Sequence, residues 1–216
     1  MDSVRIAALA GSQISEPVPS PLPQEADFVR RAQAGDLDAF NALVDAHQRV
    51  AYNLCLRMLG NPAAAEDATQ DAFLSAFRNI GSFRGGSFRP WLMRIASNAC
   101  TDELRRRHRR PAMSLDAPAP GSEEPLDVPD SAAGPEAEAL RSEQQEIVQA
   151  ALLRLPADQR MAVVLCDIQG FAYEEIAEAM RTSVGTVKSR SARGREKLRR
   201  ELGPGREPPA PEQSGT

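Results

Sequence analysis

The chain is poor in histidine, cysteine and aromatic side chains, and each shortage removes a class of function. Two histidines and three cysteines in 216 residues leave His47, His108, Cys55, Cys100 and Cys166 too scattered for any zinc-binding spacing. The cysteines instead fall at apolar positions of helical patterns, which reads as core thiols in a reducing cytoplasm. No phosphate-binding glycine loop and no nucleophile motif is present, so neither an enzyme, a cofactor nor a small-molecule substrate is expected. No apolar run approaches the ~20 residues that span a bilayer. Residues 6–10, behind a single Arg5, are too short for a signal peptide, so membrane insertion is not expected. Runs of alternating β-type residues are missing as well, which points to an all-α chain.

Charge is present but segregated. The net charge of −4 hides an acidic middle stretch (Asp116, Glu123, Glu124, Asp127, Asp130, Glu136, Glu138, Glu143) and two basic clusters, at 105–110 and 188–200. Binding to a polyanion depends on where charge lies rather than on its sum. With 17 prolines and 5% aromatic residues, small cores separated by unstructured segments are expected.

Residues 1–24 carry Pro17, Pro19, Pro21 and Pro23 among small and polar neighbours, which predicts a disordered tail. Helical periodicity begins at Glu25. Over 36–59, Phe40, Leu43, Val44, Val50, Ala51, Leu54, Cys55, Met58 and Leu59 recur at three- and four-residue steps, with Asp36 as N-cap and Gly60 as terminator. Asn61 and Pro62 open a second helix that turns Ala65, Ala68, Ala72, Phe73, Ala76 and Phe77 inward. Residues 81–87 read as a loop. A third helix from about Pro90 buries Trp91, Leu92, Ile95, Ala99 and Leu104 and runs out into arginines that suit its C-terminal dipole. Residues 111–135 lack periodicity and predict a flexible acidic linker. Helix resumes over 136–155, and a further tail is expected over 203–216. Two small helical domains, 25–110 and 136–202, are the predicted architecture.

The second domain reads as a DNA-binding helix-turn-helix over 155–202. Met161, Val163, Val164, Leu165 and Ile168 form one helix stopped at Gly170, and residues 173–180 form the next. A break at 181–183 precedes a helix from about Val184 to Leu202. The last helix mixes hydroxyls with long cations (Thr186, Lys188, Ser189, Arg190, Arg193). Cations neutralise phosphates, while hydroxyls and arginines read base edges. A solvated basic helix would share the charge, but not the ordered run EEIAEAM, turn, VGTVKSR.

That run, together with AEDATQDAF and GSFRGGSFRPWLMRIASNACTDELRRR upstream, resembles the bacterial RNA polymerase sigma factors of the sigma-70 family, extracytoplasmic-function (ECF) group. The likeness extends over residues 26–202 in the family's domain order. It implies a sigma region 2 domain, a sigma region 4 domain, and an initiation subunit that binds core RNA polymerase and promoter DNA. Asp67, Gln70 and Asp71 are implied to dock on the polymerase. The loop 82–89, with Phe83, Arg84, Ser87 and Phe88, is implied to capture a flipped base of the minus-ten element, with the contacting side chain left open. Arg94, Asn98, Arg105 and Arg106 are implied minus-ten contacts on the following helix; Asn98, Asp102 and Arg105 share one face at i, i+4 and i+7. Trp91 is read as core rather than as a stacking platform. Ser183, Thr186, Lys188, Ser189, Arg190 and Arg193 are the implied minus-thirty-five contacts. An anti-sigma factor is a further partner that the family implies.

Four residues depart from the family pattern. Ala172 stands where Ser or Thr commonly caps a helix, at a cost of about 1 kcal/mol. Arg181 stands in the turn where Gly is common, Ser191 replaces an aliphatic, and Gly194 interrupts a helix at a cost of about 1 kcal/mol against Ala. An autonomous repressor built on the same helix-turn-helix is the alternative, but it leaves AEDATQDAF and GSFRGGSFRPWL without a role.

Overall fold

The computed structural model describes residues 24–109 and 135–203, and side chains of the second segment from Ser142 onward. The expected tails and acidic linker lie, but for a residue or so at their edges, outside the described residues. Among the described residues the chain is helical without a strand. The first domain holds α1 (Glu25–Gln33), α2 (Leu37–Leu59), α3 (Pro62–Asn79), a 3-10 turn (Ile80–Ser82) and α4 (Phe88–Arg109). The second holds α5 (Pro135–Leu153), α6 (Ala157–Val163) running into a π-helical turn (Val164–Ile168), α7 (Tyr173–Ala179) and α8 (Val184–Leu202). No helix among them is long and apolar enough to cross a membrane.

The predicted helix boundaries follow from local chemistry. Asp36 accepts a hydrogen bond from the Ala39 amide at 3.1 Å, and Asn61 accepts one from Ala64 at 2.9 Å with Pro62 in the first turn, so each satisfies one of the amide donors a helix start leaves unpaired. Gly60 ends α2 at φ +70°, a left-handed conformation that glycine adopts without a Cβ clash. The stripe of α2 facing α1, α3 and α4 buries Leu43, Ala51, Leu54, Cys55 and Met58 completely or nearly so. Cys55 and Cys100 meet in this core; the hydrogen bond to Cys55, followed by burial, holds the Cys100 thiol far above the ordinary range, as a core thiol should be.

Four inward assignments change. Phe77 rests edge-on against Phe40, with ring centroids 5.0 Å apart, yet stays 40% exposed. Ile95 and Ala99 are only half-buried, because they lie beside the exposed Asn98 and Asp102 on the helix surface, and Leu104 is half-buried among the exposed arginines that end α4.

A polar clamp anchors the first domain. The Glu25 carboxylate meets His47 Nε2 at 3.1 Å and accepts from the Phe88 amide at 3.2 Å, with both side chains almost wholly buried. It thereby ties the start of α1 to α2 and to the first turn of α4. The His47 hydrogen bond, followed by that from Phe88, lowers the Glu25 pKa against the opposing pull of burial.

In the second domain Gly194 has a packing reason. A Cβ there would lie 2.6 Å from Val163 Cγ2 and 3.3 Å from the Gln159 carbonyl oxygen, so α8 touches α6 backbone-close only because the side chain is missing. Gly194→Ala is expected to destabilise the protein by about 1–3 kcal/mol, since overpacking outweighs the helix propensity gained; a higher melting temperature in the variant would refute the close-packing account. Because the folded Glu25 pKa is depressed, its stabilisation is complete above the ordinary value of 4.5 and is lost as pH falls through the depressed value. Acid unfolding followed by circular dichroism should therefore show a smaller loss of stability between pH 5 and about pH 3 in Glu25→Gln than in the parent.

Candidate nucleic-acid interface

The helix-turn-helix is assembled from α7, a four-residue turn (180–183) and α8. Ala172 offers no side-chain cap, and Glu175 supplies the other half of the usual arrangement by accepting from the Ala172 amide at 2.9 Å. The turn closes α7 through Met180 N to Ile176 O (2.8 Å) and Thr182 N to Ala177 O (2.9 Å). Arg181 takes φ +49°, the one left-handed non-glycine among the described residues. That confirms the turn geometry, and for a residue with a Cβ it costs about 1 kcal/mol.

On α8 the predicted minus-thirty-five residues divide by what they touch. Ser183 Oγ caps the helix, accepting from the Thr186 amide at 3.2 Å and lying 2.9 Å from the Thr186 hydroxyl. The Ser189 hydroxyl donates to the Thr186 carbonyl at 2.9 Å. Arg190 Nε sits 2.9 Å from Asp158 of α6. Lys188 lies over the Tyr173 ring, 5.7 Å from its centroid, and remains exposed, as does Arg193. Val187, Ser191, Gly194 and Leu198 form the buried face. The Ser191 hydroxyl, where an aliphatic is usual, is buried with no partner among the described residues.

Sequence spacing could have added Lys197, exposed one turn beyond Arg193. It could not have found Arg195, whose guanidinium holds Asp167 through hydrogen bonds of 2.8–3.2 Å and reaches Tyr173 at 3.3 Å. The two partners are 28 residues apart and no local pattern links them. Asp167 keeps Arg195 still more firmly protonated than a free guanidinium.

In the first domain the loop before α4 is half rigid and half open. Gln33 Nε2 donates to the carbonyls of Ile80 (3.0 Å) and Phe83 (2.8 Å), fixing the entry. Gly85 and Gly86 both have positive φ. Arg84 and Ser87 are exposed on either side of them. Phe83 is half-buried against Phe88 and Trp91, at centroid distances of 6.1 and 5.4 Å. Phe88 is fully buried and Trp91 nearly so, which makes both of them the floor of the loop and bears out the core reading of Trp91.

Along α4, Arg94 is half-buried, while Asn98, Asp102, Arg105 and Arg106 are exposed. Asp102 pairs with Arg105 at 3.3 Å, and Glu103 pairs with both Arg106 and Arg107. The Asp102–Arg105 pair is exposed on both sides, and such a pair is worth little. On α3, Asp67, Gln70 and Asp71 are all exposed. Beside them runs a shallow apolar groove of about 460 Å³ between α2 and α3, edged by Leu37, Leu74 and Phe77. Among the described residues no cluster of three or more His, Cys, Asp or Glu could hold a metal ion.

Comparison with known proteins agrees with this geometry. Residues 43–110 match sigma-70 region 2, and residues 145–198 match sigma-70 region 4. The ECF RNA polymerase sigma factor SigW of Bacillus subtilis is 39% identical over 178 residues, 81% of this chain and 94% of its own. The solved structure of CnrH in complex with the cytosolic domain of CnrY superposes with a TM-score of 0.60 at 28% identity, covering 82% of this chain and 96% of that one. The sigma factor RpoE of Bartonella quintana, solved with the anti-sigma factor NepR, gives 0.59 at 26% identity, covering 79% and 100%. Two helical domains with a cationic recognition helix, matched in order and over most of their length, show that the chain belongs to the ECF group of the sigma-70 family, the transcription initiation factors that bind core RNA polymerase and recognise the minus-ten and minus-thirty-five promoter elements.

Proposed function

We propose that residues 25–110 and 136–202 are the two working units, each with its own division of contacts. Thr186, Lys188, Ser189, Arg190 and Arg193 meet the minus-thirty-five element, with Ser183 shaping the helix start that approaches it. Phe83, Arg84 and Ser87 receive the minus-ten base, and Arg94, Asn98, Arg105 and Arg106 track the adjoining backbone. Asp67, Gln70 and Asp71 dock on core polymerase. One observation carries this division: the exposed acids Asp67 and Asp71 stand on α3, while most exposed charged side chains on α4 and α8 are cations. Opposite charge on separate surfaces suits a polyanion on one and a protein on the other.

An anti-sigma factor is a proposed further partner, because a relative of similar fold was solved with one. A cytoplasmic location fits a protein that acts with RNA polymerase.

The purified chain is expected to direct promoter-specific transcription only with core polymerase; tight, sequence-specific footprinting by the chain alone would favour an autonomous repressor. Arg190→Ala should weaken minus-thirty-five recognition by about 1–3 kcal/mol and leave polymerase affinity unchanged. The Arg190–Asp158 pair is partly exposed, so its loss costs at most ~1 kcal/mol of stability. Asp71→Lys should do the reverse, lowering polymerase affinity at least tenfold, since 1.4 kcal/mol is ~10-fold. Electrophoretic shift and polymerase pull-down read the two effects, and one shared loss in both variants would refute the two-surface division.

A further inference from the structure

Of the three cations proposed to meet the minus-thirty-five element, one has an acid beside it. Lys188 lies over the Tyr173 ring and Arg193 stands exposed, whereas Arg190 faces Asp158 Oδ2 at 2.9 Å. An acid next to a surface that meets a polyanion carries a cost, because it repels every phosphate whatever the base sequence. The geometry around Asp158 supplies what offsets that cost.

The carboxylate is pinned at both oxygens. Asp158 stands in the first turn of α6, and its Oδ1 accepts from the Gln159 amide at 2.9 Å. That leaves Oδ2 for Arg190. The approach of the two residues is set one turn further along α8, at Gly194. Arg190 and Gly194 are four residues apart and so lie on one side of the helix. The missing side chain at Gly194 lets α8 come so near α6 that a Cβ there would be 3.3 Å from the Gln159 carbonyl oxygen. Gln159 is the neighbour of Asp158 in the chain. The glycine that weakens the helix therefore also brings the acid within reach of the arginine.

Asp158 meets the guanidinium through Nε. Among the described residues the terminal amines Nη1 and Nη2 of Arg190 make no hydrogen bond, so the edge they form stays open. A guanidinium edge of this kind matches the O6 and N7 acceptors of guanine in the major groove. The Arg190 side chain is 27% exposed and that of Asp158 47%, so the fork reaches solvent while its stem is held. A long side chain loses rotamer freedom when it docks, and holding it beforehand removes part of that cost. Repulsion from the acid weakens binding to all sequences alike, while the held fork favours the one sequence whose base it meets. Both effects raise the ratio of specific to non-specific binding.

We infer that Asp158 is a positioning residue for minus-thirty-five readout, holding Arg190 at Nε so that its Nη1 and Nη2 edge is presented to a guanine. This rests on the reading of Arg190 as a minus-thirty-five contact, and one experiment separates the two. Promoter-length duplexes randomised over both elements are selected on the full-length chain bound to core polymerase, and the retained sequences are read. Arg190→Ala should relax one G·C pair of the minus-thirty-five element roughly tenfold. Asp158→Ala should relax that same pair about three- to tenfold and leave the others as they were. Asp158→Asn should behave like Asp158→Ala, because a single amide oxygen cannot serve both the Gln159 amide and Arg190. Asp158→Glu keeps both acceptors and should stay within about twofold of the parent. In the Arg190→Ala background, Asp158→Ala should change discrimination by less than about 1.5-fold, since nothing is left for it to position.

A merely structural role for Asp158 would instead relax every minus-thirty-five position together and lower the melting temperature. That pattern, unchanged discrimination in Asp158→Ala, an undiminished effect in the Arg190→Ala background, or an A·T pair at the position Arg190 reads would each overturn the inference while leaving the minus-thirty-five reading in place. If Arg190→Ala relaxes no pair at all, that reading fails and the inference falls with it.

Discussion

The carbonyls at the C-terminal end of α2 have to find donors, and most of this molecule's organisation follows from where they find them. Gly60 turns the chain away in a left-handed conformation, so the helix cannot continue and its last oxygens face outward. Arg107 reaches back from α4 to one of them, and Gln149 and Arg160 reach across from the second domain to the others. The same helix supplies the buried stripe on which α1, α3 and α4 pack. One element therefore organises the first domain along its side and docks the second at its end.

The recognition helix shows a comparable division between holding and reading. Its inner face is seated by Gly194 against Val163 and by Arg195 on Asp167, contacts that fix its axis. Its outer face keeps Lys188 and Arg193 exposed, as the proposed contact with a phosphate backbone requires. Arg190 stands between the two roles, held by Asp158 at a distance and exposure from which it can be released. Ser191 adds a buried hydroxyl without a partner at a position where an aliphatic would pack without that penalty; the structure supplies no reason for it.

The loop before α4 combines a fixed frame with an open backbone. Glu25 and Gln33, both on α1, hold its two ends by hydrogen bonds to Phe88, Ile80 and Phe83. Phe88 and Trp91 make an aromatic floor, and Gly85 with Gly86 leave the backbone open above it. A base leaving the duplex needs a surface that replaces stacking and backbone groups that replace pairing, and both are present.

Helix existence, caps and terminators were legible in the sequence because they depend on contacts within four residues. Asp36, Gly60, Asn61 and Pro62 acted as their chemistry required, and the exposed faces carrying Asp71 and Arg193 followed from the helical period. The family-specific runs located both domains and their order. Long-range partners were not legible. Nothing near Gly194 announces Val163, nothing near Arg195 announces Asp167, and Glu25 meets Phe88 across 63 residues. The packing of the two domains against each other was equally hidden, because a glutamine and an arginine that cap another helix look in sequence like ordinary surface residues. By itself the sequence determined which segments are helices and which chemistry each face carries, since backbone hydrogen bonding and side-chain periodicity are local. Tertiary structure alone decided which cations stay exposed and which are engaged as caps and ion pairs, since that depends on what lies opposite each side chain once the chain has folded.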